Sequence, residues 1–384
     1  MTSKKSSPVK DFYLLSASAG ILIILGLVMV FSASSIHAID TKGYAFAVAL
    51  RQFIFLAVGL PFALWLARFK VTTWELIARF GLLISIALVA VVMIPGVGKE
   101  VNGNRNWIDL KVIDVQPGEF VKFFLILWAS LLLAKKERAK KMQFHVIALI
   151  APGFILVMAM IMRGGDLGTT SVVGAILVGL LFISGIDIKK MVMVGLSAGV
   201  LLAAAIATSD YRRARFLAFI NPFDPDEYKN SGWQQAHSLL GLASGGVFGV
   251  GLGGSRQKWG NLAEAHTDFI FSVIGEELGL IGAFVVLILM GVLIFSIVKI
   301  ALRARDPFSR YVCGGIATWI GMQAFLNIGT AISVLPVVGV TLPLVSYGGS
   351  ALLTTVVALG FVVGVALRDK EVSQALIARF AQKK

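Results

Sequence analysis

Residues 278–298 read LGLIGAFVVLILMGVLIFSIV, twenty-one residues without a charge, followed by Lys299. A helix needs about 20 mostly apolar residues to cross the hydrocarbon of a bilayer. This stretch is long enough, and it leaves no polar face for water. Ten stretches of this kind occur along the chain: 12–34, 45–67, 76–95, 118–134, 144–162, 169–185, 191–208, 278–299, 311–332 and 349–367. The 384-residue chain as a whole is 57% hydrophobic and 15% charged, with a mean hydropathy of +0.86. Soluble domains are about 45–50% apolar and about 25% charged. A soluble, disordered, fibrous or disulfide-stapled protein is thereby excluded. The expected fold is an all-α polytopic membrane protein with ten transmembrane helices, forming one domain over 1–384.

The formal charge is +14. In a soluble protein such an excess suggests nucleic acid; in a polytopic one it marks basic cytoplasmic loops. With ten spans and the N-terminus inside, 22 Lys and Arg and seven acids fall in inner segments, which then carry +15 and leave −1 outside. The largest inner blocks are Lys135, Lys136, Arg138, Lys140 and Lys141, then Lys299, Arg303, Arg305 and Arg310, with Lys4 and Lys5 in the N-tail and Lys383 and Lys384 in the C-tail. The short outer loops hold only Lys42 and Arg163. Both termini are therefore expected to be cytoplasmic, with 368–384 as an inner tail. The net charge is a topology signal and carries no hint of nucleic acid. The apolar run after Lys10 is too long for a signal sequence and reads as a retained first span.

Cys313 is the single cysteine, which excludes an intrachain disulfide and a cysteine metal cluster. His37, His145, His237 and His266 are scattered, which argues against a zinc site.

Two outer segments are long, 96–117 and 209–277. A loop of that size is uncommon unless it is functional. The Ala/Leu/Gly character of 236–254 suggests helices or re-entrant pieces at the outer leaflet. Its glycines, Gly249-x-Gly251-x-Gly253-Gly254, follow no strand and open no βαβ unit, so they read as close packing and not as a nucleotide fingerprint.

Polar residues gather in these outer segments. Asp268 stands where a polar run meets an apolar one, a position that suits either a general base with a raised pKa or a helix N-cap. Glu119 and Lys122, spaced i, i+3, share a helix face, as a simple ion pair or as part of a site. Arg212, Arg213 and Arg215 suit a phosphate or lipid headgroups. Glu276-Glu277 reads as solvated or salt-bridged carboxylates at a helix start, with an active-site pair as the alternative.

Taken in series, these motifs resemble the SEDS proteins (shape, elongation, division, sporulation), the polytopic polymerases of peptidoglycan. The resemblance covers nearly the whole chain. Its most specific piece is EAHTDFIFSVIGEELG at 264–279, followed by LPLVSYGGS at 342–350. Asn102-Gly103, Trp107-Ile108, Gln116-Pro117-x-Glu119-x-x-Lys122, Asp166-Leu-Gly168, Arg212-x-x-Arg215 and Ser244-Gly-Gly-x-Phe-Gly249 add to it. Gly275 in Val273–Gly279 and the FSASS run at 31–35 lean to the division branch of the family. Asn106, Gly118, Gly164-Gly165 and Ala263 depart from the family's usual Arg, Ser, Gln-Pro and Pro.

The resemblance implies an inverting glycosyltransferase that polymerises lipid II, the undecaprenyl-pyrophosphate-linked disaccharide, into β-1,4 glycan at the outer face of the cytoplasmic membrane. It implies Asp268 as general base and Arg212, Arg215 and Lys122 as cations for the departing pyrophosphate, with Glu119 holding Lys122. Gln234, Ser238, Lys258 and His266 become candidate sugar or phosphate contacts. It further implies a divalent cation (Mg or Mn) of unknown ligands, a class B penicillin-binding protein as transpeptidase partner, and other division proteins at the septum. A lipid II flippase and a non-catalytic division scaffold are the rival readings. The first would need a polar path through the spans; the second would need neither Asp268 nor the arginines.

Overall fold

A computed structural model of the protein describes residues 7–101, 104–111, 114–140, 146–208, 210–225 and 227–381. Lys4, Lys5, Asn102, Gly103, Lys141, His145, Lys383 and Lys384 lie outside the described residues. The elements run α1 (Pro8–Lys42), α2 (Ala47–Leu66), α3 (Val71–Arg79), α4 (Gly81–Met93), β1 (Gly98–Val101), β2 (Asn104–Asp109), β3 (Asp114–Val115) and α5 (Pro117–Arg138). They continue with α6 (Val146–Arg163), α7 (Leu167–Ile183), α8 (Ile188–Ala207), α9 (Asp210–Ile220) and α10 (Trp233–Gly245). The last four are α11 (Ile270–Arg303), α12 (Pro307–Ala331), α13 (Gly349–Leu367) and α14 (Lys370–Ala381).

The helix ends follow local chemistry. Proline occupies the first turn of α1, α5 and α12, where its missing N–H leaves no bond unmade. Asp166 caps α7 by accepting from Thr169 N, and Asp306 caps α12 by accepting from Ser309 N, both at 2.8 Å. Gly43 closes α1 in the left-handed region, φ 79°. Each of the ten apolar stretches is met by helix, the third by α3 and α4 bent by 51°. Seven described helices are long and apolar enough to cross a membrane, eight if the bent pair counts as one. α5, α12 and α13 are the most buried and form the centre, with α1, α2, α4, α7 and α11 around them. Their outer faces expose Phe53, Leu83, Ile288 and similar residues, as a lipid-facing surface requires.

The all-α expectation needs correction. β1, β2 and β3 form a small antiparallel sheet in the segment 96–117. Val101 pairs with Asn104 and Ile108 with Val115. The signal was present: Asn-Gly at 102–103 is the strongest short-range hairpin dipeptide. A search for long apolar runs passes over so short a hairpin.

The segment 209–277 contains α9, α10 and a short 3-10 turn, Gln257–Trp259. It is fastened to α11 through backbone. Gly279, φ 69°, interrupts α11 just past the glutamates. Leu280 N donates to Gly246 O at 2.9 Å, Val250 N to Glu276 O and Gly251 N to Glu277 O, both at 3.0 Å. A Cβ on Gly249 would run into the Glu277 carbonyl, and one on Gly279 into the Val247 carbonyl. The glycine run is therefore a close-packed splice whose donors take over bonds that the helix break gives up.

Candidate active site

Asp268 lies two residues before α11. The N-cap position belongs to Phe269, which makes no side-chain cap, so capping does not explain the aspartate. Its backbone is pinned by a distant segment. Asn327 of α12 donates from Nδ2 to Asp268 O at 2.8 Å and to Val340 O at 2.7 Å. Ser346 Oγ donates to Thr267 O at 2.6 Å, and Tyr347 N donates to His266 O at 2.9 Å. The two most specific sequence pieces, 264–279 and 342–350, thus meet along their backbones. Glu264, at φ 56°, turns the chain into this segment, and its carboxylate accepts from Thr267 Oγ1 at 2.7 Å.

The Asp268 carboxylate itself is half-buried beside Gly339, whose added Cβ would lie 3.6 Å from Oδ2. Among the described residues no hydrogen bond reaches it. Burial pushes its pKa up to about 7; the Glu264 charge adds to the rise, Arg215 opposes it and Asp166 adds again. A carboxyl with those properties is partly ionised at neutral pH and basic enough to accept a hydroxyl proton. His266 stacks between His37 and Tyr347, with ring centroids 5.4 and 5.6 Å away. Burial holds its imidazole below the ordinary pKa; Glu264 works against this and His37 with it.

Among the described residues, Arg215 on α9 is a cation whose charge reaches Asp268. The side chain of Arg212 lies outside the described residues. Lys122 is fully buried on α5, 2.7 Å from Glu119 Oε1 and 2.8 Å from Gln323 Oε1, with its ammonium 5.1 Å from the Trp319 ring centre. The ion pair expected from the i, i+3 spacing is thus present, and Gln323 and Trp319 of α12 complete it. Asp166 lies within electrostatic reach of both Lys122 and Asp268. It accepts from Asn106 Nδ2 at 2.8 Å and Gln116 Nε2 at 3.3 Å. Asn106, where the family's usual arginine is absent, therefore serves this carboxylate. Gly164-Gly165 also has a geometric reason: Arg105 N donates to Gly164 O at 2.9 Å, and side chains there would press on Asn104 and Arg105.

Other residues that the sequence suggests as contacts go elsewhere. Ser238 Oγ donates to Ala331 O at 2.7 Å, and its own carbonyl accepts from Ser272 Oγ at 2.6 Å. Lys258 is buried, 3.1 Å from Glu277 Oε1 and 3.3 Å from Ser32 Oγ. Gln234 is half-buried on α10. Glu276 and Glu277 are not solvated: both are almost fully buried. Glu277 takes Lys258, Ser32 and Ser255 N; Glu276 takes Ser255 Oγ, Ser244 Oγ and Arg256 N. This cluster ties α1, the 3-10 turn and α11 together. Sequence reasoning gives no role to Asp166 or Asn327; an amide or acid inside an apolar helix end is the signal that could find them.

The matching family model, described as "Cell cycle protein" and covering FtsW, RodA and SpoVE, spans residues 13–371. The chain belongs to the FtsW/RodA/SpoVE family. Family relatives include the "Probable peptidoglycan glycosyltransferase FtsW" of Mycobacterium tuberculosis, 37% identical over 97% of this chain and 70% of the relative. The protein of the same name from Coxiella burnetii is 38% identical over 90% of this chain and 93% of its own. Among solved FtsW/RodA/SpoVE-like structures, Thermus thermophilus RodA matches with a TM-score of 0.68 and 28% identity, covering 93% of this chain and 97% of its own. A chain from a structure described as "Structural coordination of polymerization and crosslinking by a peptidoglycan synthase complex" matches with a TM-score of 0.75 and 28% identity, covering 92% and 96%.

Proposed function

We propose that the protein is a peptidoglycan glycosyltransferase that polymerises lipid II into β-1,4 glycan during cell division. The observation that carries the mechanism is the Asp268 carboxylate: fixed by its backbone, free of hydrogen bonds among the described residues, and raised in pKa. In the reaction the acceptor's 4-hydroxyl attacks the donor's anomeric carbon. The new C–O bond forms as the bond to undecaprenyl pyrophosphate breaks on the opposite face, so configuration inverts. Asp268 takes the hydroxyl proton, and the electron pair of the broken bond leaves with the pyrophosphate. A positioned base of this kind is worth about 10²–10⁴-fold. Arg215, and Arg212 three residues before it in the sequence, would receive the charge that develops on the leaving group. Lys122 and Asp166 set the field around that site from within their own hydrogen-bond networks.

The ten apolar stretches and the basic blocks support ten crossings, cytoplasmic termini and an outer 209–277 segment. That arrangement keeps the prenyl chain in lipid while the sugar head reacts at the outer surface. A divalent cation, Mg or Mn, would be held mainly by substrate phosphates. Among the described residues no three His, Cys, Asp or Glu side chains converge on a metal position, so no step is assigned to the ion. The name of the synthase complex supports a cross-linking partner; a class B penicillin-binding protein in that role, and a site of action at the septum, follow from the family resemblance.

Purified protein, with its partner transpeptidase and labelled lipid II, tests the proposal. Wild type is expected to make glycan strands. Asp268→Ala, folded to the same extent, is expected to lose about 10²–10⁴-fold in rate. Polymerisation by Asp268→Ala at the wild-type rate overturns the mechanism.

A further inference from the structure

The end of the molecule remote from Asp268 holds a cavity of about 140 Å³. It lies where the start of α1, the turn from α11 to α12 and the turn from α13 to α14 come together. Its polar wall consists of Arg303, Arg305, Arg368, Asp306, Asp369 and Ser309, and the rest of the wall is apolar. Each acid there already accepts a hydrogen bond. Asp306 accepts from Ser309 N at 2.8 Å and from Arg138 at 2.6 Å. Asp369 Oδ1 accepts from Glu371 N at 3.0 Å. Of the arginines, Arg303 is paired with the buried Asp11 at 2.6 Å. Arg368 donates to a neutral acceptor, Phe69 O, at 2.5 Å. Arg305 is exposed and has neither hydrogen bond nor ion pair among the described residues. Two guanidinium groups thus line the cavity with no ion pair of their own among the described residues, although Arg368 lies within electrostatic reach of Asp306.

We propose that this cavity binds a phosphate anion, gripped by Arg305 and Arg368. The anion is either the phosphodiester of an anionic phospholipid or free phosphate. Guanidinium forks match phosphate oxygens in pairs, and the volume admits one such group. The apolar remainder of the wall suits a lipid, whose first acyl carbons would run along α1 and α13. Anionic headgroups and juxtamembrane basic residues attract each other at the cytoplasmic leaflet. A bound phosphate would add a link between the ends of α11 and α13 and the start of the tail helix α14.

The full-length protein in neutral detergent, titrated separately with phosphatidylglycerol, phosphatidylcholine and inorganic phosphate, gives the test, read as the shift in thermal midpoint. Phosphatidylglycerol is expected to raise the midpoint saturably, and phosphatidylcholine to leave it unchanged. Arg305→Gln is expected to weaken half-saturation about ten-fold, the worth of one charge-assisted hydrogen bond. Arg79→Gln, an exposed arginine on α3, is expected to leave it unaltered. A saturable shift with inorganic phosphate, lost in Arg305→Gln, would establish that the anion is held without its lipid. Arg305 is exposed, so its variant folds even if Arg368→Gln does not. Half-saturation by both phosphatidylglycerol and phosphate unchanged in Arg305→Gln overturns the proposal.

Discussion

Two sets of carboxylates sit within about ten residues of each other, and the structure treats them in opposite ways. Glu276 and Glu277 are sealed inside, and each of their partners is a donor: a lysine, three serines and backbone N–H groups. Asp268 is half-buried, and its carboxylate has no donor among the described residues, while its backbone is held from two sides. A carboxylate whose oxygens are all occupied can hold helices together but cannot meet a substrate hydroxyl without giving up a partner. One whose oxygens are open, on a fixed backbone, can. In the proposed mechanism the difference separates a fastening from a base, although both lie in the same family signature.

The contrast breaks first in activity. Asp268→Asn, nearly isosteric, should lose at least about 10²-fold in polymerisation rate while keeping its fold. An effect below about tenfold would place Asp268 with the structural carboxylates. Lys258→Met should show the reverse pattern. It leaves Glu277 buried without its cation, and breaking such a pair costs about 3–5 kcal/mol. Denaturation in detergent should report that loss, and the rate per folded molecule should stay within about tenfold. If the rate collapsed with stability unchanged, the glutamates would belong to the chemistry. Gly249→Ala should destabilise by about 1–3 kcal/mol, because the new methyl meets the Glu277 carbonyl; the same melt measures it.

A smaller effect separates the two sets by pH. The folded pKa of Asp268, about 7, lies above its ordinary 3.8. Between those values the folded state holds the proton more tightly than the unfolded chain. Stability therefore falls as pH rises through that window, and ionisation at this site opposes folding above it. Asp268→Asn should remove this loss and be more stable than wild type at about pH 8, with no advantage at about pH 4. An equal difference at both pH values would contradict the assignment. Glu264→Gln removes a charge that raises the pKa, so the acid limb of the rate profile should move to lower pH. Arg215→Gln should move it to higher pH.

Much of the fold is legible in the sequence. Continuous apolar runs locate the helices, because a bilayer demands length and little else. The basic loops support the sidedness. The Glu119–Lys122 pair can be read from i, i+3 spacing, whereas the junction at Asp268 leaves a base and an N-cap both open and only the family resemblance favours the base. The hairpin β1–β2 escapes such a reading, since two short strands leave no hydropathy signal and only Asn102-Gly103 announces them. Ser238 and Lys258 are drawn toward the site by their polarity alone. Their partners, Ala331 O and Glu277, are brought near only by the packing of α10 on α12 and of the 3-10 turn on α1 and α11. Asn327 and Ser346, which hold the Asp268 segment in place, act from far along the chain, where no local pattern connects them to it.

The most direct test is the pH dependence of kcat/KM for glycan polymerisation by the wild-type protein with its partner. With Asp268 as the base, the rate should rise with pH to a plateau, its acid-limb midpoint near the residue's pKa of about 7, and the residual activity of Asp268→Asn should lack that limb. A midpoint near the ordinary carboxylate value of 3.8, or an unchanged acid limb in Asp268→Asn, would contradict it.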